Sequence, residues 1–378
     1  MEVRRILILG GYGNFGKRIA AHLSRIPGLT LLIAGRTIAR AAETASELNG
    51  LCTTDTQAQP CCIDIMSPDF RYRLAQLEPD LVIHTSGPFQ GQDYRVPEAC
   101  IACGSHYIDL ADDRRFVCDI GNLHQAAKEA GVLIVSGASS VPGLSSTVID
   151  HFLPQFAELR EIDFAIAPGN KAERGEVTLR GILSYTGHPF RVLRNGQWVN
   201  TFGWMAPRHR HMGKQLGKRW LADINIPDLE LFPQRYSDVG TVRFQAGLEL
   251  PVLHFGMVTM AWMARLGLIK NWSTLTGPIF KASEWFKRFG SDNGGMQITL
   301  LGTGHNNQPL QIDWTLTAPD GIGPHIPTMS ALILAEKLIK NTLMDTGATA
   351  CLGLYSLNDF DQIASTHGIR HVTEVSNG

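Results

Sequence analysis

The chain of 378 residues has no excess charge of either sign. Its 34 Lys and Arg face 35 Asp and Glu, for a formal net charge of −1. That balance leaves no global basic field to hold nucleic acid. Cysteine is scarce: seven residues, irregularly spaced, too few for a disulfide framework. A reduced, cytoplasmic setting is therefore expected. Cys100-x-x-Cys103 has redox or metal spacing, but no second pair accompanies it and it lies in a helical pattern, so no metal site is expected. The start, Met1-Glu2-Val3-Arg4-Arg5, runs into an apolar stretch, Ile6 to Leu9, too short for a signal-peptide core. A long uninterrupted apolar run is also lacking. The nearest, Pro251 to Ile269, is interrupted by His254 and Arg265 and punctuated by Gly256 and Gly267. It reads as a buried or pocket-lining helix rather than a span, with peripheral membrane or lipid contact as the alternative.

What is present is a globular composition. Hydrophobic residues make up 44% and charged residues 18%, enough for a sizeable core. At roughly 150 residues per domain, the length points to two or three domains. The 38 glycines follow no period, which excludes collagen. They are expected at turns and where a ligand approaches the backbone.

The first 136 residues alternate strand and helix patterns. Arg5–Leu9 is a continuous apolar run, as in a parallel strand buried on both faces. Further strands are expected at Leu29–Ala34, Cys61–Ile65, Asp80–Thr85, His106–Leu110 and Val132–Ser136. Helices are expected over Asn14–Ile26, Thr37–Asn49, from Ser67-Pro68 to Glu78, over Gln92–Cys103, and over Phe116–Ala130. This is α/β: a Rossmann-type doubly wound parallel sheet. After Gly143 the rhythm changes. A helix is expected over Ser145–Phe156 and a hairpin around Asn195-Gly196. Gln297–Leu300 and Gln311–Thr317 alternate polar and apolar, as antiparallel strands do. The expected division is the Rossmann-type domain over 1–140 and a second α+β domain, for substrate or dimerisation, over 141–324. The segment from about 325 to 378, with an amphipathic helix over Pro327–Leu343, is expected to return to the first domain.

Gly11-Tyr12-Gly13-Asn14-Phe15-Gly16 matches G-x-G-x-x-G directly after a strand and at the opening of a helix. Gly11 permits the tight turn, Gly13 lets a pyrophosphate approach the backbone, and Gly16 lets helix pack on strand. The helix N-terminus supplies free N–H donors and positive dipole. The second strand ends Ala34-Gly35-Arg36-Thr37, with no acid to bind a ribose 2′-hydroxyl. Arg36 suits a 2′-phosphate and Thr37 a further hydrogen bond, so NADP is expected over NAD. Asp64 borders the expected adenine pocket or is an ordinary loop acid.

Ligands of such sheets bind outside the carboxyl ends of the strands. Strand four is followed by Ser86, Gly87, Pro88 and Phe89: small residues for the nicotinamide ribose, then an apolar wall. Strand five ends Tyr107-Ile108-Asp109, and strand six leads into Ser136-Gly137-Ala138-Ser139. Asp109, His84 and Tyr107 are the candidates for proton transfer. Ser139 lacks a nucleophile elbow and reads as a ligand contact or cap. In the second domain, Asn170 and Arg174 are candidates to hold a substrate carboxylate. The basic stretch Pro207 to Trp220 suits an anion, a membrane surface or a solvated loop.

Together the segments GGYGNFG, AGRT, HTSGPFQGQDYRVPEACIACGSHYIDLADD, SGASSVPGLSS, APGNKAERGEV and IPTMSALILAEKLI resemble the saccharopine dehydrogenase-like family. The resemblance implies a Rossmann domain, a second α+β domain, and hydride transfer with NAD(P). Relatives reduce imines formed from an amino group and a carbonyl. The expected function is thus an NADP-dependent oxidoreductase acting on a C=N bond in an opine-like amino-acid adduct. The alternatives are an enoyl or lipid-type C=C reductase and a non-catalytic NADP-binding sensor or scaffold. A small-molecule substrate is expected, with a homodimer as one possibility.

Overall fold

The structure, a computed structural model, describes residues 2–51 and 54–377. The chain forms two compact units, one of residues up to Leu144 with His325–Tyr355, the other of Ser145–Pro324 with Ser356 onward.

The first unit follows the alternating pattern of its sequence. In order come β1 (Arg5–Leu9), α1 (Asn14–Leu23), β2 (Thr30–Gly35), α2 (Ile38–Leu51), β3 (Gln57–Cys62), α3 (Phe70–Leu77), β4 (Leu81–His84), α4 (Arg95–Cys103), β5 (His106–Asp109), α5 (Arg114–Cys118), α6 (His124–Glu129) and β6 (Leu133–Ser136). β1, β4, β5 and β6 are apolar and almost wholly buried, because helices cover both faces of a parallel sheet. β3 lies four residues before its expected start. Its alternating Gln57-Ala58-Gln59 suits the sheet edge, whereas apolar Ile63 and Ile65 fall in the following turn. The helix expected over Phe116–Ala130 is interrupted by a 3₁₀ stretch, Asp119–Leu123, which contains Gly121. Asp69, not the expected Ser67, stands immediately before α3, and its carboxylate accepts from the Ser67 hydroxyl rather than from a helix N–H.

The second unit contains α7 (Ser145–Phe152), β7 (Phe156–Ala167), α8 (Glu176–Tyr185), β8 (Pro189–Arg194), β9 (Gln197–Phe202), β10 (Arg208–His211), α9 (Gly213–Leu216), β11 (Lys218–Asp223), α10 (Asp228–Arg235), β12 (Thr241–Ala246), α11 (Pro251–Arg265), α12 (Thr276–Glu284), β13 (Gly294–Gly304) and β14 (Pro309–Ala318). The β8–β9 hairpin turns on Asn195 and Gly196, at φ +50° and +75° as a two-residue turn of this hand requires.

The chain then supplies α13 (Ile326–Ile339) and β15 (Gly347–Ala350) to the first unit, and α14 (Leu357–Thr366) and β16 (Arg370–Asn377) to the second. The first sheet runs β15-β6-β5-β4-β1-β2-β3, all parallel. The second runs β10-β11-β12-β7-β13-β14-β16 and is mixed. The fold is thus a Rossmann-type domain with a second α+β domain, as the sequence leads one to expect. α13 departs from its expected amphipathic character. Ile326, Met329, Leu332, Ile333, Leu334 and Leu338 are buried, as are Thr328 and Ser330. A helix apolar all round belongs inside.

α11 departs in the opposite sense. One stripe, His254, Met257, Val258 and Ala261, is buried, while Val252, Phe255, Trp262 and Leu266 are exposed. Among the described residues no helix is long and apolar enough to cross a membrane.

Candidate functional site

The strand order reverses between β1 and β4, the switch point at which such sheets bind ligands. Here the turn after β1 is tied down by its own backbone. Gly10 and Gly11 N–H groups donate to Ala34 O at 2.9 and 3.0 Å, and Gly13 N–H donates to Gly10 O at 2.8 Å. Gly10 has φ +78°, and a Cβ there would meet Thr85 Oγ1 at 2.7 Å and Ser86 Oγ at 2.9 Å. At Gly16 a Cβ would lie 2.2 Å from Gly10 O, so this glycine brings α1 against the strand turn. Gly13, the residue before α1, offers no side-chain cap, which leaves the first helical N–H groups available to an anion. This cradle fits a dinucleotide pyrophosphate.

Tyr12 leaves the loop towards the end of β2. Its ring covers Gly35, where a Cβ would come within 2.4 Å of Cε1, and its hydroxyl accepts from Thr37 N–H at 3.1 Å. The guanidinium of Arg40 lies over the same ring, 4.6 Å from its centroid. Arg36 and Arg40 are both exposed. Two exposed cations thus stand near the carboxyl end of β2. Arg40 was not apparent in the sequence; its position four residues after Arg36 is the signal that identifies it. Asp64 turns the chain after β3, its Oδ1 accepting from Met66 N–H at 3.0 Å.

On the other side of the switch point, Thr85 Oγ1 donates to Leu9 O at 2.8 Å and links β4 to β1. The loop Ser86-Gly87-Pro88 is held by Gln92, whose Nε2 donates to Ser86 O at 3.0 Å and Pro88 O at 2.8 Å. Gln92 is a second residue that sequence reasoning missed. Gly87–Pro88 and Val141–Pro142 are cis. Phe89 is buried, edge-on to the His84 ring at 5.0 Å and 5.4 Å from that of Phe116.

The three candidate proton carriers come together at the ends of β4 and β5, wholly buried. His84 Nδ1 lies 3.0 Å from the Tyr107 hydroxyl. Burial lowers the His84 pKa to about 3, so the ring is neutral at physiological pH. Asp109 Oδ1 accepts from Ala111 N–H at 2.9 Å, Ser136 Oγ at 3.0 Å and Gly137 N–H at 2.8 Å. Asp109 O accepts from Ala138 N–H at 2.8 Å. The residue therefore fastens the end of β5 to the loop after β6. Burial raises its pKa to about 6 against those hydrogen bonds. Ser139 is buried, and its carbonyl accepts from Ser330 Oγ of α13 at 2.8 Å. Ser330 Oγ in turn lies 2.7 Å from Tyr355 Oη. The returning segment thus supports the loop from behind, through contacts that no local pattern reveals.

Asn170 and Arg174 lie in the second unit. Asn170 Nδ2 donates to Phe286 O at 2.7 Å and Phe289 O at 3.0 Å. Arg174 donates from Nη2 to Ser283 O at 3.4 Å, and its Nε is 3.5 Å from Glu284 Oε1. Arg208 and Arg210, in the basic stretch, pair with Asp163. Among the described residues no group of three or more His, Cys, Asp or Glu could hold a metal ion.

The fold and the rim of the first sheet define a Rossmann-type dinucleotide-binding protein with a second α+β domain. Residues 6–135 match the family model of the saccharopine dehydrogenase NADP binding domain. Over 99% of this chain and all of the other, the structure is similar to apo saccharopine dehydrogenase (L-Glu forming) from Saccharomyces cerevisiae, with a TM-score of 0.69 at 13% identity. GenD2 from gentamicin A biosynthesis, in complex with NAD, aligns over 99% of this chain and 97% of its own at 11% identity and a TM-score of 0.44. A short-chain dehydrogenase/reductase from Mycobacterium ulcerans aligns over 36% of this chain and 66% of its own, at 20% identity and a TM-score of 0.28. No curated protein matches the chain in sequence. Residues 6–135 are thus a saccharopine dehydrogenase-type NADP binding domain, and the chain as a whole shares the fold of saccharopine dehydrogenase.

Proposed function

We propose that the protein is an NADP-dependent oxidoreductase whose substrate carries a C=N bond between an amino-acid-like and a carbonyl-derived half. The observation that carries the cofactor reading is the glycine cradle at the β1/β4 switch point, with Arg36 and Arg40 and no acid at the end of β2. The resemblance of the motifs supports the imine class. When bound, the cofactor supplies the hydride. The residues of the chain supply position. Gly11 and Gly13 admit the phosphates, and Ser86 to Phe89, braced by Gln92, shape the rim beyond β4. Asp109 is the proposed proton-holding group: its raised pKa, about 6, keeps part of the carboxyl population protonated near neutrality. Tyr107 and His84 stand behind it as polar support. Ser139, Asn170 and Arg174 are the proposed substrate contacts. Arg174 has N–H donors beyond its contacts to Ser283 and Glu284.

Calorimetric titration tests the cofactor reading. Arg36→Ala and Arg40→Ala are each expected to weaken NADPH binding about tenfold to hundredfold, a lost charged contact costing roughly 1.5–3 kcal/mol, and to leave NADH affinity unchanged. Equal loss for both cofactors, or for neither, overturns the clamp. Oxidation of NADPH by mixtures of amino acids and oxoacids tests the substrate class. Tight binding with no turnover on any C=N or C=C acceptor would favour a sensor.

A further inference from the structure

The densest exposed apolar surface of the molecule lies in the second unit, between Pro251 and Gly290. Nearly half of the large hydrophobic side chains exposed by the described residues fall in this stretch. On α11, Val252, Phe255 and Trp262 lie three and seven residues apart on one helical face, and Leu266 and Leu268, just past the helix end, are exposed as well. Beyond α12, Trp285 is 81% exposed and Phe289 50%. Water is an unfavourable neighbour for such a concentration of apolar side chains, and a surface of this composition marks an interaction site.

The charges among these residues are nearly all of one sign. Arg265, Lys270, Lys281, Lys287 and Arg288 stand against a single acid, Glu284, which Arg174 and Lys287 already engage. No carboxylate among the described residues lies within ion-pair distance of Arg265, Lys270, Lys281 or Arg288. The Arg265 guanidinium is stacked 5.3 Å from the Trp262 ring and 4.2 Å from that of Phe202. The Arg288 guanidinium lies 5.0 Å from the Phe289 ring. Aromatic and aliphatic side chains interleaved with unpaired cations are the composition of a helix lying in a lipid interface. Trp and cationic residues settle at the headgroup level. A second copy of this chain fits less well, because a two-fold contact would set these cations against their own kind.

We propose that the α11–α12 face of the second unit rests on an anionic lipid bilayer. α11 has 15 residues, about 22 Å of helix, too short to span a hydrocarbon core of about 30 Å. It lies along the surface, with Phe255, Trp262 and Trp285 in the headgroup region and the cations against lipid phosphates and carboxylates.

Co-sedimentation of the full chain with phosphatidylcholine vesicles, with and without phosphatidylserine, tests this. Binding is expected to be at least about tenfold stronger on the anionic vesicles, and to fall as salt rises. Lys270→Glu with Lys281→Glu should weaken it by about fivefold or more per position. Trp262→Ser with Trp285→Ser should weaken it about tenfold. Both pairs lie on the surface, so melting temperature and NADPH affinity should be unchanged, which separates this result from misfolding and from the cofactor reading. Absence of binding to either vesicle overturns the proposal, as does equal binding to both. So does a monomer–dimer equilibrium in sedimentation velocity that the Trp pair abolishes, since the face would then belong to a second copy.

Discussion

Each unit is built on a seven-stranded sheet, and the two sheets place their polar atoms differently. In the parallel sheet, β1, β4, β5 and β6 are buried on both faces, and polar groups gather at the carboxyl ends of the strands. In the mixed sheet a row of polar groups crosses one face, beside an apolar cluster of Ala165, Ala167, Met212, Leu216 and Leu221. Register sets Arg243, Asp163, Thr299, Asp313 and Glu374 side by side across five strands. The adjacent row, Phe244, Phe164, Ile298 and Trp314, points into the core. Polar groups thus sit at the strand ends where both faces are apolar, and in a cross-strand row where alternation puts charged side chains on one face.

The largest effect is expected at the rim. Gly16→Ala places a methyl 2.2 Å from Gly10 O, and backbone stands on both sides of the contact. Overpacking costs about 1–3 kcal/mol, and the helix start is displaced from the phosphates. NADPH affinity measured by calorimetry should fall by at least about a hundredfold. Retained affinity would show that the turn adapts and that the cradle is not rigid.

The second effect belongs to the cross-strand row. Asp163 lies 2.8 Å from Arg210, 3.2 Å from Arg243 and 3.9 Å from Arg208. Asp163→Ala leaves three half-buried or exposed cations without their shared acid. A loss of about 2–3 kcal/mol is expected in denaturant unfolding of the second unit. NADPH affinity should be unchanged. A parallel loss of cofactor binding would break the separation between rim and row.

Legibility in the sequence follows the same division. The glycine motif could be read because its meaning is local: strand, turn and helix start lie within about a dozen residues. Arg36 was legible by its place at the end of β2. Arg40 and Gln92 were not, because they act through the Tyr12 ring and through carbonyls of a loop. Ser330, itself held by Tyr355, reaches Ser139 across nearly two hundred residues, and no period records that. Burial direction was the least legible. α13, expected to be two-faced, is enclosed, and α11, expected to be enclosed, is two-faced, because both are rich in apolar residues and only their neighbours decide. His84 and Asp109 do end β4 and β5, but their complete burial emerges only from the packing of Phe89, Phe116 and the loop after β6.

Each unit also holds one buried, acid-raised carboxyl, which permits a matched pH experiment. Burial raises Asp228, hydrogen-bonded to Ser145, to about 7, and Asp109 to about 6. Both folded values exceed the ordinary 3.8, so the folded state holds the proton more tightly than the unfolded chain. The contribution to stability is complete below about pH 4. It is lost as pH rises, through about 6 for Asp109 and about 7 for Asp228. Each is worth on the order of a few kcal/mol. Asp228→Asn keeps an acceptor for Ser145 and removes the titration, so its unfolding free energy should flatten between about pH 4 and pH 7. Asp109→Asn should flatten only to about pH 6. Identical profiles for variant and parent would show that water reaches these carboxyls.

The smallest effect isolates packing from backbone strain. Gly137, after β6, and Gly196, in the β8–β9 turn, have nearly the same conformation, φ +78° and +75°. Alanine at either position is strained by about 1 kcal/mol, because a Cβ disfavours positive φ. Their surroundings differ. At Gly137 the new methyl meets Pro142 Cδ at 2.7 Å and Val117 Cγ1 at 3.0 Å, whereas at Gly196 no atom lies within 4 Å. Gly196→Ala should therefore cost only the strain, about 1 kcal/mol in thermal or denaturant unfolding. Gly137→Ala should add the overpacking, about 1–3 kcal/mol more. The difference between the two measures how tightly the loop behind the cofactor rim is packed, with backbone strain cancelled. Equal costs would mean that Pro142 yields freely, and that the rim of the parallel sheet is as accommodating as an open hairpin turn.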